Sequence, residues 1–62
     1  MTPQELKDAR KRLGLTQSQL AAKLGLSEAN GDNTVRKWEA GSREISGPVA
    51  VAIAYMLRDL TD

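Results

Sequence analysis

Hydrophobic residues recur at helical spacing through most of this 62-residue chain, in segments that open with capping residues and close at glycines. The first predicted helix begins after Thr2, which forms a capping box with Glu5, and it ends at Gly14. The second is predicted between Thr16 and Gly25, with the same start and end signals. The apolar positions predicted to face the core are Leu6, Ala9, Leu13, Leu20, Ala21 and Leu24.

A third, shorter helix is predicted from about Asn33 to Ala40, after a stretch rich in turn-forming residues. Asp32 or Asn33 is expected to cap this helix, and the glycine after Ala40 is expected to close it. One short turn is expected within residues 27–30. The predicted inward-facing residues are Val35 and Trp38, and the predicted outward-facing cations are Arg36 and Lys37.

A fourth helix is predicted from Ser46, its N-cap, to about Leu60. Its predicted core face consists of Val49, Ala52, Ile53, Met56 and Leu60. The helix is more apolar than one buried side requires, because Val51, Ala54 and Tyr55 lie partly off that face. This excess predicts a second burial partner, with Val51 and Tyr55 as the candidate dimer surface.

The four segments predict an all-α fold, a compact four-helix domain that spans residues 1–62. Two short helices joined by a turn, the second with outward cations, describe a helix-turn-helix unit. The major groove of DNA is about 12 Å wide and admits one such helix. Within that helix, Arg36 is suited to guanine edges and Lys37 to phosphate.

Composition argues against catalysis, because the chain contains no cysteine and no histidine. Disulfides, thiolate metal sites and the usual general base are therefore absent, and we expect no enzyme activity, cofactor, metal or small-molecule ligand. The chain has no apolar run of about 18 residues and no secretory pattern at its start, so we expect a cytoplasmic protein. Net charge is only +1, but basic residues cluster within residues 7–12 and 36–43.

Four short motifs occur together and in order: Leu13-Gly14-Leu15-Thr16-Gln17, Leu20-Ala21, Leu24-Gly25-Leu26-Ser27, and Thr34-Val35-Arg36-Lys37-Trp38-Glu39-Ala40-Gly41. Over about residues 4–45 the chain therefore resembles the Cro and phage-repressor-like (XRE-type) helix-turn-helix family, with its lambda-repressor-like fold. The resemblance implies a homodimer that binds double-stranded operator DNA and regulates transcription, with repression as the expected mode. It also implies a bacterial or phage protein that acts on the bacterial nucleoid. One departure is that six residues, 28–33, precede the Thr-Val pair where the family has about three. The turn is expected to be longer, and the recognition helix to start later or tilt differently.

The resemblance also implies roles for individual residues. Gln17 matches a phosphate-contacting position at the start of the second helix, and Arg10 with Glu39 matches an ion pair between the first helix and the recognition helix. Ser42 and Arg43 match a loop that touches phosphate. The positions implied to reach bases or backbone from the recognition helix are Asp32, Asn33, Thr34 and Lys37, with Arg36 on the same exposed arc.

Several of these residues also have a purely structural interpretation. Arg36 and Lys37 fit an ordinary solvated helix face, and Gln17 fits a solvated helix start. Asn33 and Asp32 both fit capping residues, whereas adenine and cytosine are the bases that they would recognise.

Four further residues leave similar alternatives open. Trp38 would stack on a base in a single-strand binder, although its spacing from Val35 favours the core. Arg10 and Glu39 would otherwise be independent surface charges. Tyr55 is either a helix-surface residue or part of a dimer seam.

Two other functional classes compete with the regulator hypothesis. The first is a protein-interaction or accessory helix-turn-helix module that binds DNA only with a partner. Asp32 and Glu28, acids near the predicted DNA face, favour it. The second is an enzyme, which no feature of the sequence supports.

Overall fold

The computed structural model describes residues 1–26 and 29–61, and four α-helices lie within them. Their bounds are α1 Pro3–Arg12, α2 Gln17–Lys23, α3 Gly31–Ala40 and α4 Gly47–Thr61. No strand occurs in the described ranges, so the predicted all-α helix-turn-helix architecture is confirmed. The turn predicted within residues 27–30 lies partly outside the described residues.

Both predicted capping boxes are present and fix where α1 and α2 begin. The backbone N–H of Glu5 donates to the Thr2 hydroxyl at 3.1 Å, and the Thr2 N–H donates to the Glu5 carboxylate at 2.7 Å. Thr16 and Gln19 repeat the exchange at 3.1 and 2.9 Å. At the start of each helix, two backbone N–H groups that would otherwise be unpaired thus find acceptors. These bonds fix the residue at which each helix begins.

The start of α3 differs from the sequence-based prediction. The helix begins at Gly31, and Asn30 is its N-cap residue, without a capping bond from its own side chain. The N–H and the hydroxyl of Thr34 instead donate to the Asn30 carbonyl at 2.9 and 3.0 Å. The prediction that Asp32 or Asn33 caps the helix is therefore wrong, and both residues belong to its first turn.

The earlier start follows from close packing between α2 and α3. Gly31 is buried, and a Cβ atom built on it would lie 2.8 Å from the Cβ of Ala21 on α2. Only a residue without a side chain allows this approach, so a glycine that resembles a turn signal is in fact the first residue of the helix. Part of the lengthened turn is thereby converted into helix, and α3 starts before the predicted position.

The core forms where the four helices meet. Its buried residues are Leu6, Ala9, Leu20, Ala21, Val35, Trp38 and Ile53. Trp38 therefore packs in the interior, and the base-stacking alternative is wrong. Leu60, predicted in the core, is exposed because it lies one turn beyond Met56 and Leu57, the last residues of α4 that pack against the core.

Candidate nucleic-acid interface

The outer surface of α3 carries most of the polar side chains of this helix. Val35 and Trp38 point into the core, which turns the opposite face of this 10-residue helix to solvent. Asn33, Arg36 and Lys37 are exposed on that face. Thr34 and Asp32 are half-buried at its two edges.

A short ion pair fixes α3 to the rest of the domain. The Arg10 Nε lies 2.7 Å from Glu39 Oε2, and its Nη2 donates to Glu39 Oε1 at 3.2 Å. The Arg10 Nη1 also donates to the Leu15 carbonyl at 2.9 Å. With side chains only 15% and 6% exposed, Arg10 and Glu39 are largely removed from water. This two-point geometry is directional, so it holds three parts of the domain in one arrangement. These parts are α1, α3 and the loop between α1 and α2.

Gln17, the first residue of α2, joins the same cluster. Its side-chain Nε2 donates to Glu39 Oε1 at 3.4 Å, and the residue is half-buried. The amide therefore links the start of α2 to the end of α3. Sequence periodicity gives no signal for this contact, because the two residues lie 22 positions apart.

A second, much more exposed ion pair lies on the outer face of α3. The Arg36 Nη2 is 3.9 Å from Asp32 Oδ2, with side chains 63% and 41% exposed. Exposed pairs of this kind are worth about 0.2–1 kcal/mol, so water and other anions compete readily for the guanidinium. The i, i+4 spacing of the two residues, visible in the sequence, was the available signal for this pair.

The loop after α3 folds back on the last turn of that helix. Gly41 has a φ of 81°, the left-handed conformation that glycine adopts without strain. The backbone N–H groups of Ser42 and Arg43 then both donate to the Lys37 carbonyl, at 2.9 and 3.4 Å. Ser42 and Arg43 are exposed and follow the cationic face directly along the chain.

The exposed apolar side of α4 is a separate surface. Val51 and Tyr55, the candidate dimer residues, are 56% and 61% exposed. With Ala54 and Arg58 they line an open groove of about 300 Å³. Ala54, Tyr55 and Arg58 lie three, four and seven positions after Val51, so the four residues form one stripe along the helix.

The described ranges contain neither a metal-binding cluster nor a membrane-spanning helix. No group of three or more His, Cys, Asp or Glu side chains could hold a metal ion there. Of the helices within those ranges, none has the length and apolar character needed to cross a lipid bilayer.

These observations define a helix-turn-helix domain, with α2 and α3 as the paired helices. The helix-turn-helix family model matches residues 6–57, most of the chain. The chain belongs to the XRE-type helix-turn-helix family, and membership supports DNA binding by this motif.

One curated relative illustrates where such a domain occurs. The chain is 42% identical, over 53 residues, to the Type II methyltransferase M1.ScrFI of Lactococcus lactis subsp. cremoris. The match covers 86% of this chain but 13% of the relative, so the chain spans about an eighth of that protein's length. No solved structure matches the chain.

Proposed function

We propose that this protein is a sequence-specific regulator of transcription, a repressor, that places α3 in the major groove of double-stranded DNA. The observation that carries the proposal is the exposed cationic face of α3, centred on Arg36 and Lys37. Val35 and Trp38 anchor the opposite face in the core. An α-helix is about 10–12 Å in diameter with its side chains, so α3 fits the width of about 12 Å of the major groove.

Each exposed residue of α3 is assigned a contact that its chemistry favours. Arg36 would donate two hydrogen bonds to guanine O6 and N7, and Lys37 would contact phosphate. Asn33 does not cap the helix, so its amide is free to pair with adenine N6 and N7. Thr34, whose hydroxyl already donates to the Asn30 carbonyl, is assigned a backbone contact.

Three residues outside α3 complete the proposed interface. Ser42 and Arg43 follow α3 directly and would contact the sugar-phosphate backbone. Gln17 would contact phosphate from the start of α2. Its bond to Glu39 is long, at 3.4 Å, and leaves the amide able to exchange partners.

Residues 1–62 would act as one domain, paired with a second copy through α4. Val51 and Tyr55 would bury their apolar surface against the same residues of that copy, and two α3 helices would then face the same side of the duplex. The operator would be an imperfect palindrome with half-sites about 34–36 Å apart. The protein would act in the bacterial cytoplasm, on the nucleoid.

A double substitution tests the assigned recognition helix. Arg36→Ala with Lys37→Ala should reduce affinity for a duplex selected from a random pool, and should flatten the dependence of affinity on salt. Lys7→Ala with Lys11→Ala removes the same charge from exposed positions on α1 and is the matched control. Unchanged affinity and unchanged salt slope in the α3 double variant would reject the proposal.

A second candidate function is an accessory DNA-binding unit that needs a partner. The half-exposed carboxylate of Asp32 on the cationic face favours this candidate, as does the match to part of a methyltransferase. In that case the chain would bring a DNA-modifying partner to its site. A gel shift at low salt with random duplexes separates the two, because absence of retardation at micromolar protein would favour the accessory unit.

A further inference from the structure

Asp32 occupies an unusual place for an acid in a DNA-binding helix. It lies within the first turn of α3, one turn before Arg36, and its carboxylate is 3.9 Å from the Arg36 guanidinium. Glu39, the other acid of α3, is turned toward Arg10 and is only 6% exposed. Asp32 is therefore the single carboxylate that α3 presents near its cationic face.

This position has opposite consequences for two kinds of DNA contact. A phosphate approaching Arg36 also approaches the Asp32 carboxylate, and the two anions repel. A guanine edge is uncharged and needs only two of the five guanidinium N–H groups, so the others stay available to Asp32. The carboxylate thus penalises binding that depends on charge alone far more than binding that depends on base recognition.

We propose that Asp32 is a specificity-determining residue, which suppresses sequence-independent binding of Arg36 to phosphate while leaving its contact with a base intact. The inference rests on the proposed function, because it assumes that α3 contacts DNA. In this role Asp32 weakens binding to the wrong sequences by repulsion. Specificity rises as a result, since it depends on the difference in binding free energy between the right and the wrong sequence.

A purely structural role for Asp32 makes different predictions. An acid in the first turn of a helix interacts favourably with the helix dipole, so its removal would lower thermal stability. It would not change how affinity depends on salt or sequence. The salt slope and the ratio of affinities for two duplexes are therefore the decisive measurements.

The experiment compares the wild-type chain with three single variants on two duplexes. One duplex is selected by the wild type from a random pool, and the other is a scrambled duplex of the same composition. Asp32→Asn removes the charge, and Asp32→Glu retains it. Asp8→Asn is the matched control, because Asp8 is an exposed acid of α1. Asparagine keeps the side-chain oxygen Oδ1, which accepts the hydrogen bond from the Gln4 amide.

Asp32→Asn should bind the scrambled duplex more tightly than the wild type and gain about one phosphate contact. Its affinity should then fall about three- to fourfold more than the wild type's between 50 and 200 mM salt. The ratio of selected to scrambled affinity should drop by a similar factor. Asp32→Glu and Asp8→Asn should both keep the wild-type ratio.

Three results would overturn the inference. Equal affinity ratios and salt slopes for Asp32→Asn and the wild type would show that the carboxylate has no selective role. Weaker binding of the selected duplex alone would make Asp32 a direct base contact. Failure of the wild type to select any duplex from the random pool would overturn the proposed function as well, whereas the first two results would leave the proposed function standing.

Discussion

Arg10 of α1 and Glu39 of α3 form a two-point ion pair, with N–O distances of 2.7 and 3.2 Å, in a largely buried setting. The pair connects residues 29 positions apart. It fixes the end of the recognition helix relative to α1, so the direction in which α3 presents its cations depends on it. A buried pair of this kind determines geometry more than it adds net stability.

Removing one member of the pair should destabilise the fold. Glu39→Ala leaves the Arg10 guanidinium with only the Leu15 carbonyl as a partner, and should lower the free energy of unfolding by about 3 kcal/mol. Urea unfolding measures this change. Glu44→Ala, at an exposed loop position, is the control and should stay within about 0.5 kcal/mol of the wild type. Equal effects of the two substitutions would show that the pair has no structural role.

Gly31 should not tolerate a side chain, although alanine normally stabilises helices. Gly31→Ala places a Cβ 2.8 Å from that of Ala21, and this overpacking should cost about 1–3 kcal/mol. The control is Ser18→Ala, which introduces alanine at an exposed position of α2. Thermal unfolding should show a lower Tm for the first variant only. A raised Tm for Gly31→Ala would contradict the close approach of α2 and α3.

The capping box of α1 should make a small contribution to acid sensitivity. The Thr2 backbone N–H bonded to the Glu5 carboxylate lowers the pKa of that carboxyl, and the Thr2 hydroxyl adds to the effect. The resulting stabilisation is complete above the ordinary glutamate pKa and is lost as pH falls through the lowered value.

Unfolding measured against pH in the wild type and in Glu5→Gln checks this expectation. The stability difference between the two should be constant near neutral pH and shrink in acid. A difference that grows as pH falls would reverse the assigned sign.

The apolar stripe of α4 should support self-association. Val51→Glu with Tyr55→Glu places charge on that stripe and should shift sedimentation equilibrium from dimer to monomer, with weaker binding to a palindromic duplex. Leu60→Glu, an exposed apolar residue of α4 outside the groove, is the control and should leave the dimer intact. A wild-type chain that stays monomeric at high concentration and on DNA would remove this part of the proposal.

Local signals in the sequence predicted most of the fold. Capping residues such as Thr2 and Thr16 act through neighbours three positions away, so the pattern itself specifies where α1 and α2 start. The start of α3 was mispredicted because Gly31 has the local character of a turn residue. Glycine is required there because Ala21, which is distant in sequence, leaves no room for a Cβ, and no periodicity reveals such a contact.

The candidate site was predictable to a similar extent. The outward position of Arg36 follows from the inward spacing of Val35 and Trp38. The pairing of Arg10 with Glu39 came from family resemblance, since spacing alone cannot bring α1 to α3. The contact between Gln17 and Glu39 was not predicted, because it depends on how α2 crosses α3.

The most direct test of the account is a titration of the ¹⁵N-labelled chain with a duplex selected from a random pool, monitored by amide chemical shifts. The account predicts the largest changes at residues 33–37 and 42–43, a further change at Gln17, and little change on the solvent face of α1, which carries Lys7 and Lys11. Shifts confined to another surface, with residues 33–37 unmoved, would contradict the claim that α3 contacts DNA.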